Sequence, residues 1–285
     1  MIQSSTVKGR VDERMTKSVV TLAPDESLEN ALQLVFQHGF RHVPVLSNDR
    51  LVGMLCDRDL LLATGASTSG VVPAWTEAQP LQGVEDIMRS GDCTLAPSDS
   101  LEDAALMMAR CNMEALPVLH LGELVGIVSQ TDLLRHYVEV CRTRGGRGDS
   151  LVRIQMSRPT PTARMDTTLM DAFERLDRRI GHLVAMHDDQ LVGIVSERDL
   201  FQALAWERQA DQRSQESGHL PPPRINLAAI MTHPVIVARE EESLSEAAER
   251  LTVHRIGALP VVRGDGVPSG MLSQRDILAH YAAVL

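Results

Sequence analysis

The chain repeats itself four times, and that repetition limits its fold more than any other feature. Four short strings align, each opening on Gly and closing on Asp: Gly53–Asp59, Gly126–Asp132, Gly193–Asp199 and Gly270–Asp276. A Met precedes each closing Asp at nearly constant distance, Met15, Met88, Met156 and Met231 lying 44, 44, 43 and 45 residues upstream. Between these landmarks a hydroxyl residue precedes Leu each time, at Ser27, Ser100, Thr168 and Ser243. Three markers in register four times define a duplicated supersecondary unit.

The units run over 11–63, 84–137, 152–204 and 227–282. The intervening stretches read as linkers: Thr64–Pro80 is small and Pro-containing, Arg142–Ser150 is Gly-rich, and Glu207–Arg224 is charged and ends beside a Pro triplet. Within unit 1, Val19–Leu22 is a short β-favouring run. Ser27 then caps a helix with apolar positions Leu28, Ala31, Leu32, Val35 and Phe36. His42–Leu46 and Leu51–Leu55 flank a turn sequence and predict a hairpin, and a second helix opens near Asp57. The order is β-α-β-β-α. With helices on one face of a small sheet, each unit must bury its other face, most simply against another copy. The expected class is therefore α/β (α+β).

The Gly-h-h-Ser/Thr-x-x-Asp string in this setting resembles the adenosyl-ligand motif of the CBS (cystathionine-β-synthase) domain family, and the resemblance covers all four units. It implies that tandem units pair about a pseudo-twofold axis, giving two Bateman modules, 1–140 and 151–285. These are expected to face each other as a flat disc, within one chain or between two. It also implies a regulatory protein that senses AMP, ADP or ATP, with S-adenosylmethionine and NAD as further ligands of the family. Occupancy would pass to an unidentified effector protein, and a homodimer is one expected form. The competing reading is a ligand-free scaffold whose module faces dock partners.

The motif has a chemical rationale. A Ser at a helix N-cap leaves backbone N–H groups at the positive helix end, where phosphate is favoured. A carboxylate three residues on can accept from both ribose hydroxyls. The preceding Gly is expected to let a ligand approach the strand backbone. By the resemblance, the contacts fall to Ser129/Asp132, Ser196/Asp199 and Ser273/Asp276, with Asp59 as the equivalent of unit 1. Ser-x-x-Asp is equally a capping-box helix start that stabilises its own helix. Unit 1 departs from the pattern with Cys56, a weak acceptor. Candidate phosphate partners are Arg41, His42 and Arg58 in unit 1, Thr131 in unit 2, Arg179, His182 and Arg198 in unit 3, and Arg255 and Arg275 in unit 4. Arg41 and His42 are expected to serve the unit 2 ligand.

Composition narrows the alternatives. Aromatics are 3% and the formal net charge is −10, which argues against a nucleic-acid surface. No apolar run approaches a membrane span, and no signal-peptide pattern opens the chain. Cys56, Cys93, Cys111 and Cys141 have no metal-knuckle or CxxC spacing, so reduced thiols in a cytoplasmic protein are expected. No P-loop, HExxH or GxSxG string occurs, and no enzymatic activity or required cofactor is expected.

Overall fold

The hydroxyl residues picked out by the repeat each start a helix in the computed structural model, which describes residues 9–65, 83–146, 148–177, 180–217, 220 and 223–284. Unit 1 is preceded by a single-turn helix α1 (Val11–Arg14), followed by α2 (Leu28–His38), strands β1 (His42–Ser47) and β2 (Arg50–Cys56), and α3 (Asp57–Gly65). Unit 2 comprises β3 (Arg89–Ser90), α4 (Leu101–Cys111), β4 (Ala115–His120), β5 (Glu123–Ser129) and α5 (Gln130–Thr143). Unit 3 has α6 (Val152–Gln155), β6 (Thr162–Arg164), α7 (Leu169–Arg175), β7 (His182–His187), β8 (Gln190–Ser196) and α8 (Glu197–Ser217). Unit 4 has β9 (Ala238–Arg239), α9 (Leu244–His254), β10 (Ala258–Val262), β11 (Pro268–Ser273) and α10 (Gln274–Val284).

Ser27, Ser100, Thr168 and Ser243 are the N-caps of α2, α4, α7 and α9, their side chains accepting from the backbone N–H of Asn30, Asp103, Asp171 and Glu246. The hairpins share one register: Pro44, Pro117, Val184 and Pro260 face Met54, Ile127, Ile194 and Met271. In units 1 and 3 the turn is made by consecutive left-handed residues, Asn48-Asp49 and Asp188-Asp189, residue types that tolerate this conformation. The first strand of the repeat is shorter than the β-favouring run Val19–Leu22 of unit 1 suggests. In units 1 and 2 it contributes single parallel bridges, Leu22 to Val45 and Leu95 to Val118. Two other expectations change. Much of the stretch read as the linker Glu207–Arg224 is the end of α8, which continues to Ser217 because its charged sequence holds no breaker before that point. The linker Thr64–Pro80 falls almost wholly outside the described residues, as does Arg179.

The unit boundaries conceal an exchange. The lead-in carrying Met15 does not pack on its own unit; Thr16 bridges Ile127 of unit 2. Reciprocally, β3 of unit 2 pairs with β2 of unit 1, Arg89 facing Met54. Units 3 and 4 repeat the exchange, Ser157 bridging Met271 and Thr232 bridging Ile194. Each Met thereby covers the Gly of the partner unit's motif. A Cβ built on Gly53, Gly126 or Gly270 would lie 2.5 Å from the sulfur of Met88, Met15 or Met156, and Gly193 is covered by Met231 in the same way. The motif Gly was expected to admit a ligand; instead it admits a methionine from the neighbouring unit.

The helix layers pack within the single chain. α5 contacts α9 and α10, α10 contacts α4, and α3 contacts α8, so unit 2 faces unit 4 and unit 1 faces unit 3. The largest core is continuous across units 2 and 4, with Leu101, Leu133, Tyr137, Leu244, Ile277 and Tyr281 buried together. The chain's two tyrosines both lie in this seam, edge to face at 6.1 Å between centroids. The Tyr281 hydroxyl shares a 2.8 Å hydrogen bond with Nδ1 of buried His136. Cys93 and Cys111 form a disulfide that ties the entry of unit 2 to the end of α4, whereas all four thiols were expected to be reduced. The fold brings the two together across 18 residues of sequence, a spacing outside the short cysteine motifs that sequence inspection tests.

Candidate functional site

Each motif serine ends a strand at the mouth of its unit, and the next residues begin a helix. At Ser129 the backbone N–H and hydroxyl donate to Asp132 Oδ2 at 2.9 and 2.6 Å. The pattern recurs at Ser196 to Asp199, 2.8 and 2.6 Å, and at Ser273 to Asp276, 2.7 and 2.6 Å. One carboxylate oxygen is thus committed to the helix start. This is a capping-box arrangement, and the second oxygen, Oδ1, decides what else the carboxylate does. Asp132 Oδ1 accepts from the exposed Arg135 at 3.1 Å. Asp276 Oδ1 accepts from the Ser157 hydroxyl at 3.0 Å, a residue of the exchanged lead-in. In unit 1, Asp59 instead receives Arg89, Nε at 2.8 Å and Nη2 at 3.3 Å.

A hollow of about 370 Å³ lies over the unit 2 motif. Ser129, Thr131 and Asp132 line it together with Arg41 and His42 of unit 1, Thr16, Arg255 and Gln274. Residues from three units converge there, and Arg41 and His42, which the resemblance assigns to the unit 2 ligand, line the same hollow as the unit 2 motif. Thr16 was not singled out, because its proximity depends on the exchange of lead-ins.

A second cavity, about 160 Å³, sits where the four units meet. Arg41, Arg58, Arg89, Arg198 and Arg275 line it, with His42, His182 and Ser196. Acidic groups partly balance these charges. Arg58 meets Glu197 at 2.5 Å and Arg198 meets Asp57 at 3.6 Å, a reciprocal pair across the α3–α8 seam. Glu114 takes Arg41 at 3.6 Å and Arg275 at 3.9 Å. Arg41, Arg58, Arg198 and Arg275 are thereby held in a web of acids between units. The hollow and the central cavity share Arg41, His42, Glu114, Gln130 and Gln274 as a common wall.

Burial pushes the His42 and His182 imidazoles below the usual histidine range, keeping both neutral near pH 7. They offer hydrogen bonds rather than positive charge. Nδ1 of His182 lies 3.1 Å from the Ile180 carbonyl, which leaves Nε2 as its other polar atom. The Cys56 thiol, at the position of the motif serine, is pushed up to about 12 by burial and by Asp57 and Asp59, and it donates to Asp57 at 3.6 Å. It is a protonated, unreactive thiol.

The comparisons agree with this repeat-by-repeat construction. The family model for the CBS domain matches four times, over residues 9–65, 84–139, 151–205 and 227–283. The chain belongs to the CBS-domain family. Its relatives include MJ1225 of Methanocaldococcus jannaschii, 24% identical over 93% of this chain and 96% of that protein. MJ1404 of the same organism is 26% identical over 95% of this chain but only 62% of its own length. The solved structure of MJ1225, described there as proposed to be an archaeal homologue of g-AMPK, superimposes with a TM-score of 0.76 at 22% identity, covering 96% of this chain and all of that one. An uncharacterized conserved protein from Pyrococcus horikoshii gives 0.64 at 22% identity over 95% of this chain and 99% of its own. At such identities the likeness is one of fold. Among the described residues, no helix is long and apolar enough to cross a membrane, and no group of side chains could hold a metal ion.

Proposed function

We propose that the chain is a regulatory adenosyl-nucleotide sensor of two modules, residues 1–140 and 151–285, and that the hollow over unit 2 takes the nucleotide. The observation that carries this reading is the convergence of Ser129, Thr131 and Asp132 with Arg41 and His42 around one space. The carboxylate of Asp132 is the ribose acceptor once Arg135, which is exposed and held by a single bond, swings away. Phosphates directed toward Arg41 would compete with Glu114 for a guanidinium group already in place. AMP, ADP and ATP suit this layout, and S-adenosylmethionine and NAD share its adenosyl half.

The hollow is walled by units 1, 2 and 4, so a bound nucleotide ties together elements from both modules. A ligand that prefers one arrangement of the modules shifts the population toward it, and an effector protein that reads that arrangement senses the nucleotide. No step in this reading requires catalysis.

Thermal melting with each ligand at millimolar concentration tests the proposal. At a hundredfold excess over Kd, binding adds about 2.7 kcal/mol. Asp132→Ala should abolish that gain while the circular dichroism spectrum stays native. Unmoved melting curves with all five ligands would leave the scaffold reading in its place.

A further inference from the structure

The four exchanged lead-ins place one residue each at the same register position, opposite the residue that follows the motif Gly. Those residues are Thr16 facing Ile127, Ser157 facing Met271, Thr232 facing Ile194 and Arg89 facing Met54. Three carry a small hydroxyl, and the fourth carries a guanidinium. Ser157 shows what a hydroxyl does there, giving one hydrogen bond to Asp276 Oδ1. Arg89 reaches the Asp59 carboxylate with two nitrogens and covers both oxygens, while a third nitrogen donates to the Asn112 carbonyl at 3.2 Å. The second departure from the repeat, Cys56 for the motif serine, lies in the same cleft although it is 33 residues away in sequence.

We propose that Arg89 is a built-in occupant of the unit 1 cleft: its guanidinium satisfies the Asp59 carboxylate and keeps that cleft closed to a ribose, so the four clefts are unequal. The inference rests on the nucleotide-sensing reading of the unit 2 cleft. A planar guanidinium donating through two nitrogens presents to a carboxylate the same paired donors as a cis diol. Being tethered, it is always present, and a free nucleotide must break two charge-assisted bonds to displace it. The same side chain lines the central cavity, so closing the cleft also leaves a cationic group beside Arg41 and Arg58.

Isothermal titration with AMP and ATP on the full chain tests this. In the wild type, Asp59→Ala should leave the number of nucleotides bound unchanged. Arg89→Thr, alone or with Cys56→Ser to restore the repeat pattern, should add one nucleotide per chain, and a further Asp59→Ala should remove it. Native circular dichroism and an unchanged affinity at the unit 2 site would show that the variants fold. The latch is overturned if Asp59→Ala lowers the wild-type stoichiometry. It is equally overturned if the folded Arg89→Thr/Cys56→Ser chain binds the same number as wild type. If neither wild type nor variants bind any nucleotide, the sensing reading fails as well; wild-type binding with an unchanged variant sinks the latch alone.

Discussion

Gly126→Ala tests whether the methionine lead-ins interlock the paired units. The added Cβ would lie 2.5 Å from the Met15 sulfur, 2.9 Å from its Cγ and 3.1 Å from the Thr16 carbonyl oxygen. The thioether can move, but the carbonyl is fixed by paired hydrogen bonds, Thr16 N–H to the Ile127 carbonyl at 2.8 Å and Ile127 N–H to the Thr16 carbonyl at 3.0 Å. Overpacking of this kind costs about 1–3 kcal/mol, and at roughly 2–3 °C per kcal/mol for a chain this long the melting midpoint should fall by about 2–9 °C. Gly264→Ala is the control, since a Cβ there meets nothing within 4 Å. Met15→Ala in the Gly126→Ala background should recover part of the loss, giving a coupling of about 1 kcal/mol or more in the double-mutant cycle. The assay is differential scanning fluorimetry on the four proteins of the cycle and the Gly264→Ala control. A Gly126→Ala midpoint within about 1 °C of wild type, or strictly additive effects, would refute the interlock.

Other outcomes follow from the site. Nucleotide-dependent stabilisation should vanish in Asp132→Ala, and Arg89→Thr should gain a binding equivalent, both read by titration calorimetry. Acidification should destabilise the fold: burial depresses His42, His136 and His182 in the native state, so the unfolded chain takes up their protons first as pH falls through about 6.5. Stability is then full above that pH and declines below it by up to about 1.4 kcal/mol per pH unit per histidine. A wild-type melting profile that stays flat from pH 7.5 to 5.5 would contradict this, and His182→Gln should flatten the slope. Dithiothreitol should lower the midpoint by cleaving Cys93–Cys111, whose short loop is worth about 3 kcal/mol in the chain-entropy model. A Cys93→Ser/Cys111→Ser chain should melt low with or without the reductant.

Much of this was readable from residues alone because repetition encodes local structure. Hydroxyl caps at Ser27, Ser100, Thr168 and Ser243, hairpins around short polar turns, and carboxylates one helical turn past Ser129, Ser196 and Ser273 are all set by neighbours three or four positions apart. Such interactions leave a periodic trace in the sequence, and four copies make that trace unmistakable. The expectation that Arg41 and His42 lie near the unit 2 motif comes from the family resemblance and not from spacing.

What tertiary structure alone decided is which unit each landmark serves. The Met in front of every motif covers its neighbour's glycine, Arg89 closes on Asp59 from 30 residues away, and Cys93 reaches Cys111. None of these partners is fixed by spacing along the chain, since an exchanged segment has the same sequence whether it packs on its own sheet or on the next. Packing makes the choice, because a side-chain volume and an empty glycine site must meet in space, and that complementarity exists only when the units are assembled.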